Sequence, residues 1–284
     1  MNKNIYRPNP TSAIGNLSLC MSTHAFLCKQ HNEKILFHKD VLNYGKDKLI
    51  KVPNIVDEDV PEDNGRGMIN GWIHLKMPNI GKIMNIIIQP TDFLKQYIDK
   101  NYEIVKDCVA GFHIRRGLSA EDSKQFGFLP FASQKAVDAM IKEALRLDAP
   151  VYVLSDSVST KEYFKSKVPK AVCLDIEIGF TADEHSQKQE VVDEDLTVKI
   201  NSFCEWFLLS KMPKIYMVTG GINGRNVDET VEEGITSTFG YSAALYGGKI
   251  PYYVFNDGYI QYPDGKDIQY NQKRYYWSDM PSVI

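Results

Sequence analysis

The chain has no C-x-x-C pair, no Cys/His cluster, no G-x-G-x-x-G or P-loop after a strand pattern, and no run of about 20 apolar residues. These absences argue against zinc modules, common nucleotide-loop enzymes and a membrane span. Its five cysteines, Cys20, Cys28, Cys108, Cys173 and Cys204, are odd in number and scattered through apolar segments. That pattern fits reduced core thiols, not a disulfide framework. The least polar stretch near the start, Ala13 to Cys28, is broken by Asn16, Ser18, Ser22, Thr23 and His24, so it is neither a signal-peptide core nor a span. A charge excess of one sign is also missing: 33 basic against 36 acidic residues give a formal charge of -3. No overall field draws the chain to nucleic acid, so any anion is bound locally. The expectation is a soluble, cytoplasmic protein of a reducing compartment, with no nucleic-acid partner. At 284 residues, 43% apolar and 24% charged, the chain suits one large or two modest domains.

Short β-rich runs alternate with helical patterns, which makes this an α/β protein. In the second half, strands are expected at Cys108 to Arg115, Val151 to Leu154, Ala171 to Ile176 and Ile215 to Val218. Helices are expected at Lys135 to Leu147, Ser159 to Lys167 and Asp195 to Lys211, with a short one after Ser237. The first of these places Ala136, Val137, Met140, Ile141, Ala144 and Leu145 on one stripe. Such a succession reads as a parallel, Rossmann-like sheet with crossover helices. The first half reads as a helix from Ser18 to Gln30, a strand from Lys34 to Phe37, loops from Val52 to Asn70 and a helix from Pro90 to Tyr102. A boundary near Asp99 to Lys106 divides the chain into lobes 1–104 and 105–284. Two α/β lobes facing each other would leave an interdomain cleft at the carboxyl ends of strands, where such folds bind ligands.

Three segments carry chemistry. His113-Ile114-Arg115-Arg116-Gly117 ends an apolar strand and enters a loop that Gly117 lets turn. A guanidinium there stays charged and offers parallel hydrogen bonds to phosphate oxygens, although a surface salt-bridge cluster is an equal reading. Ser237-Thr238-Phe239 stands where a loop becomes a helix, so its hydroxyls and orphan amides suit either a phosphate or an ordinary helix cap. Ser155-Asp156 follows a strand, where the carboxylate suits a ribose, a base or a cap.

In their order, these segments resemble the fucosyltransferase superfamily of α1,2-, α1,6- and protein O-fucosyltransferases. Its members share H-x-R-R at a strand end, then S-D or T-D after a later strand, then S-T-F. Ile14-Gly15-Asn16 is similar to the G-N motif of the α1,2 branch, and Glu205 to Ser210 to a D-x-x-L-x-S helix segment. The resemblance implies a GT-B-like enzyme of two Rossmann-like lobes that inverts the donor sugar and needs no metal and no cofactor. The amino-terminal lobe would take the acceptor and the carboxyl-terminal lobe the nucleotide sugar. Arg115 would hold the donor's β-phosphate and Arg116 would support the loop or the donor. His113 and Asp156 would line the nucleoside pocket with Ser155 beside them, while Ser237, Thr238 and the Phe239 amide cradle the diphosphate. Gly15 and Asn16 would form an amino-terminal loop.

This chain departs from the pattern at two places. Glu205 stands where the family has its base-reading Asp, and Leu118 stands where an acid often follows H-x-R-R-G. Glu121 and Asp122 are the nearest candidates for the base that takes the acceptor's proton. The expected reaction transfers a sugar, L-fucose from GDP-fucose first and UDP-xylose second, to a glycan hydroxyl. A catalytically degenerate sugar-nucleotide or carbohydrate binder is the non-enzymatic alternative. The acidic loop Gly220 to Ile235 reads as a surface insertion, Asp193 and Asp195 as a solvated helix start, and the Tyr-rich stretch from Pro251 as a tail on the first lobe.

Overall fold

The computed structural model describes residues 5–8, 14–60, 79–116, 132–176, 196–218 and 237–262. Eleven strands and seven α-helices among them divide between two units. One comprises Met1–Lys106, Leu174–Lys211 and Thr238–Lys249; the other comprises Asp107–Cys173, Met212–Ser237 and Ile250–Ile284.

In the first unit, strands β1 (Ile5–Tyr6), β2 (Leu36–His38) and β4 (Ile55–Val56) form a parallel sheet with β2 in the centre. Helix α1 (Ile14–Gln30) joins β1 to β2, and β3 (Ile50–Lys51) pairs antiparallel with β5 (Gln89–Pro90). Helices α2 (Ile80–Ile87), α3 (Asp92–Val105), α6 (Leu196–Lys211) and α7 (Thr238–Tyr246) also belong to the unit. Thr91 starts α3 by accepting from the Leu94 amide at 3.2 Å. Helix α7 packs on α1, α2 and α6, and α3 packs on α6. A buried helix such as α1 tolerates hydroxyls because they bond back to its own turns: Ser18 to the Gly15 carbonyl at 2.9 Å and Thr23 to Leu19 at 3.0 Å.

The second unit is built on a six-stranded sheet in the order β11, β10, β9, β6, β7, β8. These are β6 (Ala110–Ile114), β7 (Val151–Ser155), β8 (Ala171–Val172), β9 (Ile215–Val218), β10 (Tyr252–Val254) and β11 (Ile260–Gln261), parallel throughout except between β10 and β11. Helices α4 (Gln134–Leu147) and α5 (Val158–Lys167) belong to it, started by Ser133 and Ser157. Phe112, Ile114, Val153 and Tyr216 from the sheet share a buried core with Val137 and Met140 of α4 and Phe164 of α5. Removing this apolar surface from water is the main drive for the unit's folding.

Several expectations need correction. Gly15 and Asn16 lie in the first described turn of α1, not in a loop. Leu145 is 50% exposed, because the stripe buried on α4 ends at Ala144. The loop reading of Val52 to Asn70 missed β4, and α2 was not foreseen, although Ile80, Met84 and Ile87 give it a buried face at helical spacing. Pro90 pairs with Ile50 instead of opening α3. The segment after Pro251 adds β10 and β11 to the second unit's own sheet, and β8 is only Ala171–Val172. The contiguous lobes 1–104 and 105–284 leave no place for α6 and α7, which fold with the first unit. Helix α6 is apolar around much of its circumference, from Phe203 to Leu209, so it suits a layer of helices better than the face of a sheet. None of the five cysteines forms a disulfide. No helix among the described residues is long and apolar enough to cross a membrane.

Candidate functional site

Strands β6 and β7 are parallel neighbours with Ile114 opposite Ser155, so the residues that follow them emerge side by side at the sheet's carboxyl edge. Such edges are where parallel α/β sheets bind ligands. There the Asp156 carboxylate is shared. Its Oδ2 lies 3.3 Å from Arg115 Nε, and its Oδ1 accepts from the Arg116 amide at 2.7 Å. Asp156 is almost wholly buried and Arg115 is a quarter exposed, so the pair is an anchored cation at a surface and not a loose ion pair. Arg116 turns away, donating from Nη1 to the Ala132 carbonyl at 2.5 Å, while the Ala132 amide donates to Arg115 O at 2.8 Å. Ser155 Oγ closes the strand ends by donating to the Ile114 carbonyl at 2.8 Å.

Strand alternation sends Phe112 and Ile114 into the core and His113 to the opposite face. Burial, helped by the nearby Arg115 charge, pushes the His113 imidazole down to about 3. His113 is therefore neutral at ordinary pH and acts there as a hydrogen-bonding group without charge.

A second cluster belongs to the first unit. The first described turn of α1 and the first turn of α7 touch so closely that a Cβ on Gly15 would lie 2.7 Å from Phe239 N and 2.8 Å from Thr238 C. Only glycine fits, because the obstacle is backbone and cannot rotate away. The first turn of α7 thus lies against the first described turn of α1 at Thr238 and Phe239. Ser242 ties this turn to α6, accepting from Trp206 Nε1 at 2.9 Å and donating to Phe239 O at 3.2 Å.

No protein-family model and no curated protein sequence matches the chain. Solved structures do. Over 88% of this chain and 70% of the other, at 13% identity and a TM-score of 0.53, it is similar to FUT1 of Arabidopsis thaliana, an arginine-to-lysine mutant in complex with GDP. Over 91% of this chain and 96% of the other, at 11% identity and a TM-score of 0.51, it is similar to the α-1,6-fucosyltransferase NodZ co-crystallised with GDP, a protein from Bradyrhizobium. NodZ soaked with GDP-fucose gives the same TM-score at 10% identity. The chain has a fucosyltransferase fold.

Within this fucosyltransferase fold the predicted residues fall into two groups. His113, Arg115, Arg116, Ser155 and Asp156 gather at one sheet edge of the second unit, and Ser237, buried, precedes α7. Gly15, Thr238 and Phe239 gather in the first unit. Asn16 lies beside Gly15 on α1. Glu205 is buried on α6, close enough to help push the Tyr97 hydroxyl and the Cys204 thiol upward, in each case after burial itself. Asp156 serves the two arginines, a role that sequence reading did not assign. Gly117, Glu121, Asp122, the loop Gly220 to Ile235, and Asp193 with Asp195 lie outside the described residues. Sequence reading also missed Arg7, His38, Asp40 and Asp57, which gather at the carboxyl edge of the first unit's sheet. Their only signal was a polar residue at the end of each very short apolar run.

Proposed function

We propose that this protein is an inverting glycosyltransferase that moves L-fucose from GDP-fucose to a glycan hydroxyl. The observation that carries the reading is the Arg115–Asp156–Arg116 cluster at the carboxyl edge of a parallel sheet, in a chain with this fold. Asp156 holds Arg115 in place before any substrate arrives, so the guanidinium meets the diphosphate without first being ordered.

In the proposed reaction the acceptor oxygen forms a bond to the sugar's anomeric carbon as the bond from that carbon to the β-phosphate oxygen breaks. The electron pair leaves with GDP. Charge grows on the diphosphate as this happens, and Arg115 stabilises it. A contact that strengthens in this way contributes about 3 kcal/mol, roughly a hundredfold in rate. His113 is assigned to the nucleoside, as a neutral donor or acceptor. Glu121 or Asp122 takes the acceptor proton.

The test is release of GDP from GDP-fucose in the presence of neutral oligosaccharides, followed by mass analysis of the oligosaccharide. The reading requires a mass gain of one deoxyhexose that depends on Arg115. GDP-fucose that is bound but never consumed across the acceptor set would favour the non-catalytic reading.

A further inference from the structure

The parallel strands β1, β2 and β4 end side by side, with Tyr6 opposite Phe37 and His38 opposite Val56. Arg7, His38 and Asp57 therefore stand at three adjacent carboxyl termini, and Asp40 lies just beyond the central one. Their contacts fix a direction. Asp40 accepts from Arg7 Nε at 2.7 Å through Oδ2 and from Asn43 Nδ2 at 2.9 Å through Oδ1. Arg7 Nη1 also donates to the Val60 carbonyl at 2.8 Å. Burial alone would raise the Asp40 carboxyl, but Arg7, His38 and Asn43 hold it below its ordinary value.

His38 Nδ1 accepts from the Asp40 amide at 3.2 Å, with Asp40 Oδ2 also 3.2 Å away, so with that amide bond made Nε2 is the ring's N–H donor. That atom makes no hydrogen bond to any described residue; the nearest acceptor is Asp57 Oδ1 at 4.0 Å, too far for one. The other Asp57 oxygen is held by Lys39 Nζ at 2.7 Å. This exposed pair adds little stability, so its consequence is orientation: Oδ1 is left toward His38.

A donor and an acceptor 4.0 Å apart suit one particular bridging group. An oxygen about 2.8 Å from both subtends about 90° between them, an ordinary angle for a hydroxyl that accepts one hydrogen bond and donates another. A carboxylate or phosphate ligand would be repelled by Asp57, and a cation would be repelled by the Nε2 proton. We infer that His38 Nε2 and Asp57 Oδ1 form a seat for a neutral hydroxyl group, and that the hydroxyl belongs to the acceptor glycan. The second half rests on the proposed transfer; the seat itself does not. His38 and Asp57 are then binding groups for the acceptor, with Lys39 and Asp40 as positioning residues.

The test uses the full chain, a printed array of neutral oligosaccharides and Asp57→Asn, His38→Gln and Lys39→Met variants. Wild-type protein is expected to capture a neutral oligosaccharide, and adding that oligosaccharide is expected to shift the His38 ring resonances in NMR. Asp57→Asn is expected to weaken capture at least tenfold while GDP affinity stays within twofold. Asp57 is two-thirds exposed, so this variant folds even where His38→Gln does not. Lys39→Met is expected to weaken capture less than Asp57→Asn does. Capture of nothing by wild type, or equal capture by wild type and Asp57→Asn, overturns the seat. Oligosaccharide capture through Asp57 without GDP-fucose binding would leave the seat standing and remove the proposed transfer.

Discussion

Asp156, at the end of one strand, fixes Arg115, at the end of its parallel neighbour, through an ion pair of 3.3 Å. The same carboxylate accepts from the next amide along, that of Arg116, at 2.7 Å, so the backbone turn and the guanidinium are set by one group. Removing it would free both. The arginine therefore depends on a residue that need not touch the donor.

Arg115→Ala is expected to lower kcat about 100-fold or more for GDP-fucose turnover, in line with losing one charge-stabilising contact. Asp156→Asn keeps Arg115 but loosens it, and a smaller fall, roughly 10-fold, is expected, mainly in kcat. Steady-state kinetics on both variants, with circular dichroism to confirm folding, checks this. Equal kcat for wild type and Arg115→Ala would remove Arg115 from the chemistry.

Gly15→Ala sets two effects against each other. Alanine in a helix is favoured over glycine by about 1 kcal/mol, but here its Cβ would strike the Thr238–Phe239 backbone at 2.7 to 2.9 Å. Overpacking of this kind costs about 1–3 kcal/mol, and fixed backbone gives little relief. Urea denaturation is expected to show net destabilisation. A stabilised variant would contradict the close crossing.

His113 makes stability depend on pH. Its folded value, about 3, lies below the unfolded one near 6.5, so the unfolded chain takes up a proton that the folded chain does not. The stability is complete above pH 6.5 and falls as pH drops through that value, at up to about 1.4 kcal/mol per pH unit, levelling off below pH 3. Urea midpoints between pH 4 and pH 8 should show a shallower slope for His113→Gln than for wild type. Identical slopes would mean that His113 is accessible to protons in the native state.

Glu143 holds the second unit's sheet to α4, accepting from the buried Tyr216 hydroxyl at 2.6 Å and from the Tyr262 hydroxyl at 3.3 Å. Burial and the adjacent carboxylate push the Tyr216 phenol far above its ordinary value. Glu143→Ala leaves that hydroxyl without its acceptor and is expected to cost about 1–3 kcal/mol. Tyr216→Phe removes donor and demand together and is expected to cost less. Chemical denaturation of both variants reads the difference.

What was legible in the sequence follows element length. Strands β6, β7 and β9 each have four or five fully buried residues, enough for a pattern, so the edge that presents Arg115 and Asp156 was readable in advance. The pairing between them was not, because it depends on β6 and β7 being neighbours with Ile114 opposite Ser155. Strands β1 and β4 have two residues each and carry no periodicity, which hid the cluster around His38. Helices α6 and α7 were located nearly to the residue, yet alternation alone assigned them to the wrong unit. Gly15 read as a loop residue because its constraint comes from Phe239, at the far end of the chain.

The most direct measurement is a thermal-shift titration of wild type and Arg115→Ala with GDP, UDP, GDP-fucose and UDP-sugars. GDP and GDP-fucose are expected to raise the melting temperature of wild type in a saturable way, UDP to have little effect, and Arg115→Ala to lose most of the rise. Stabilisation by UDP without stabilisation by GDP, or a GDP response unchanged in Arg115→Ala, would contradict the account.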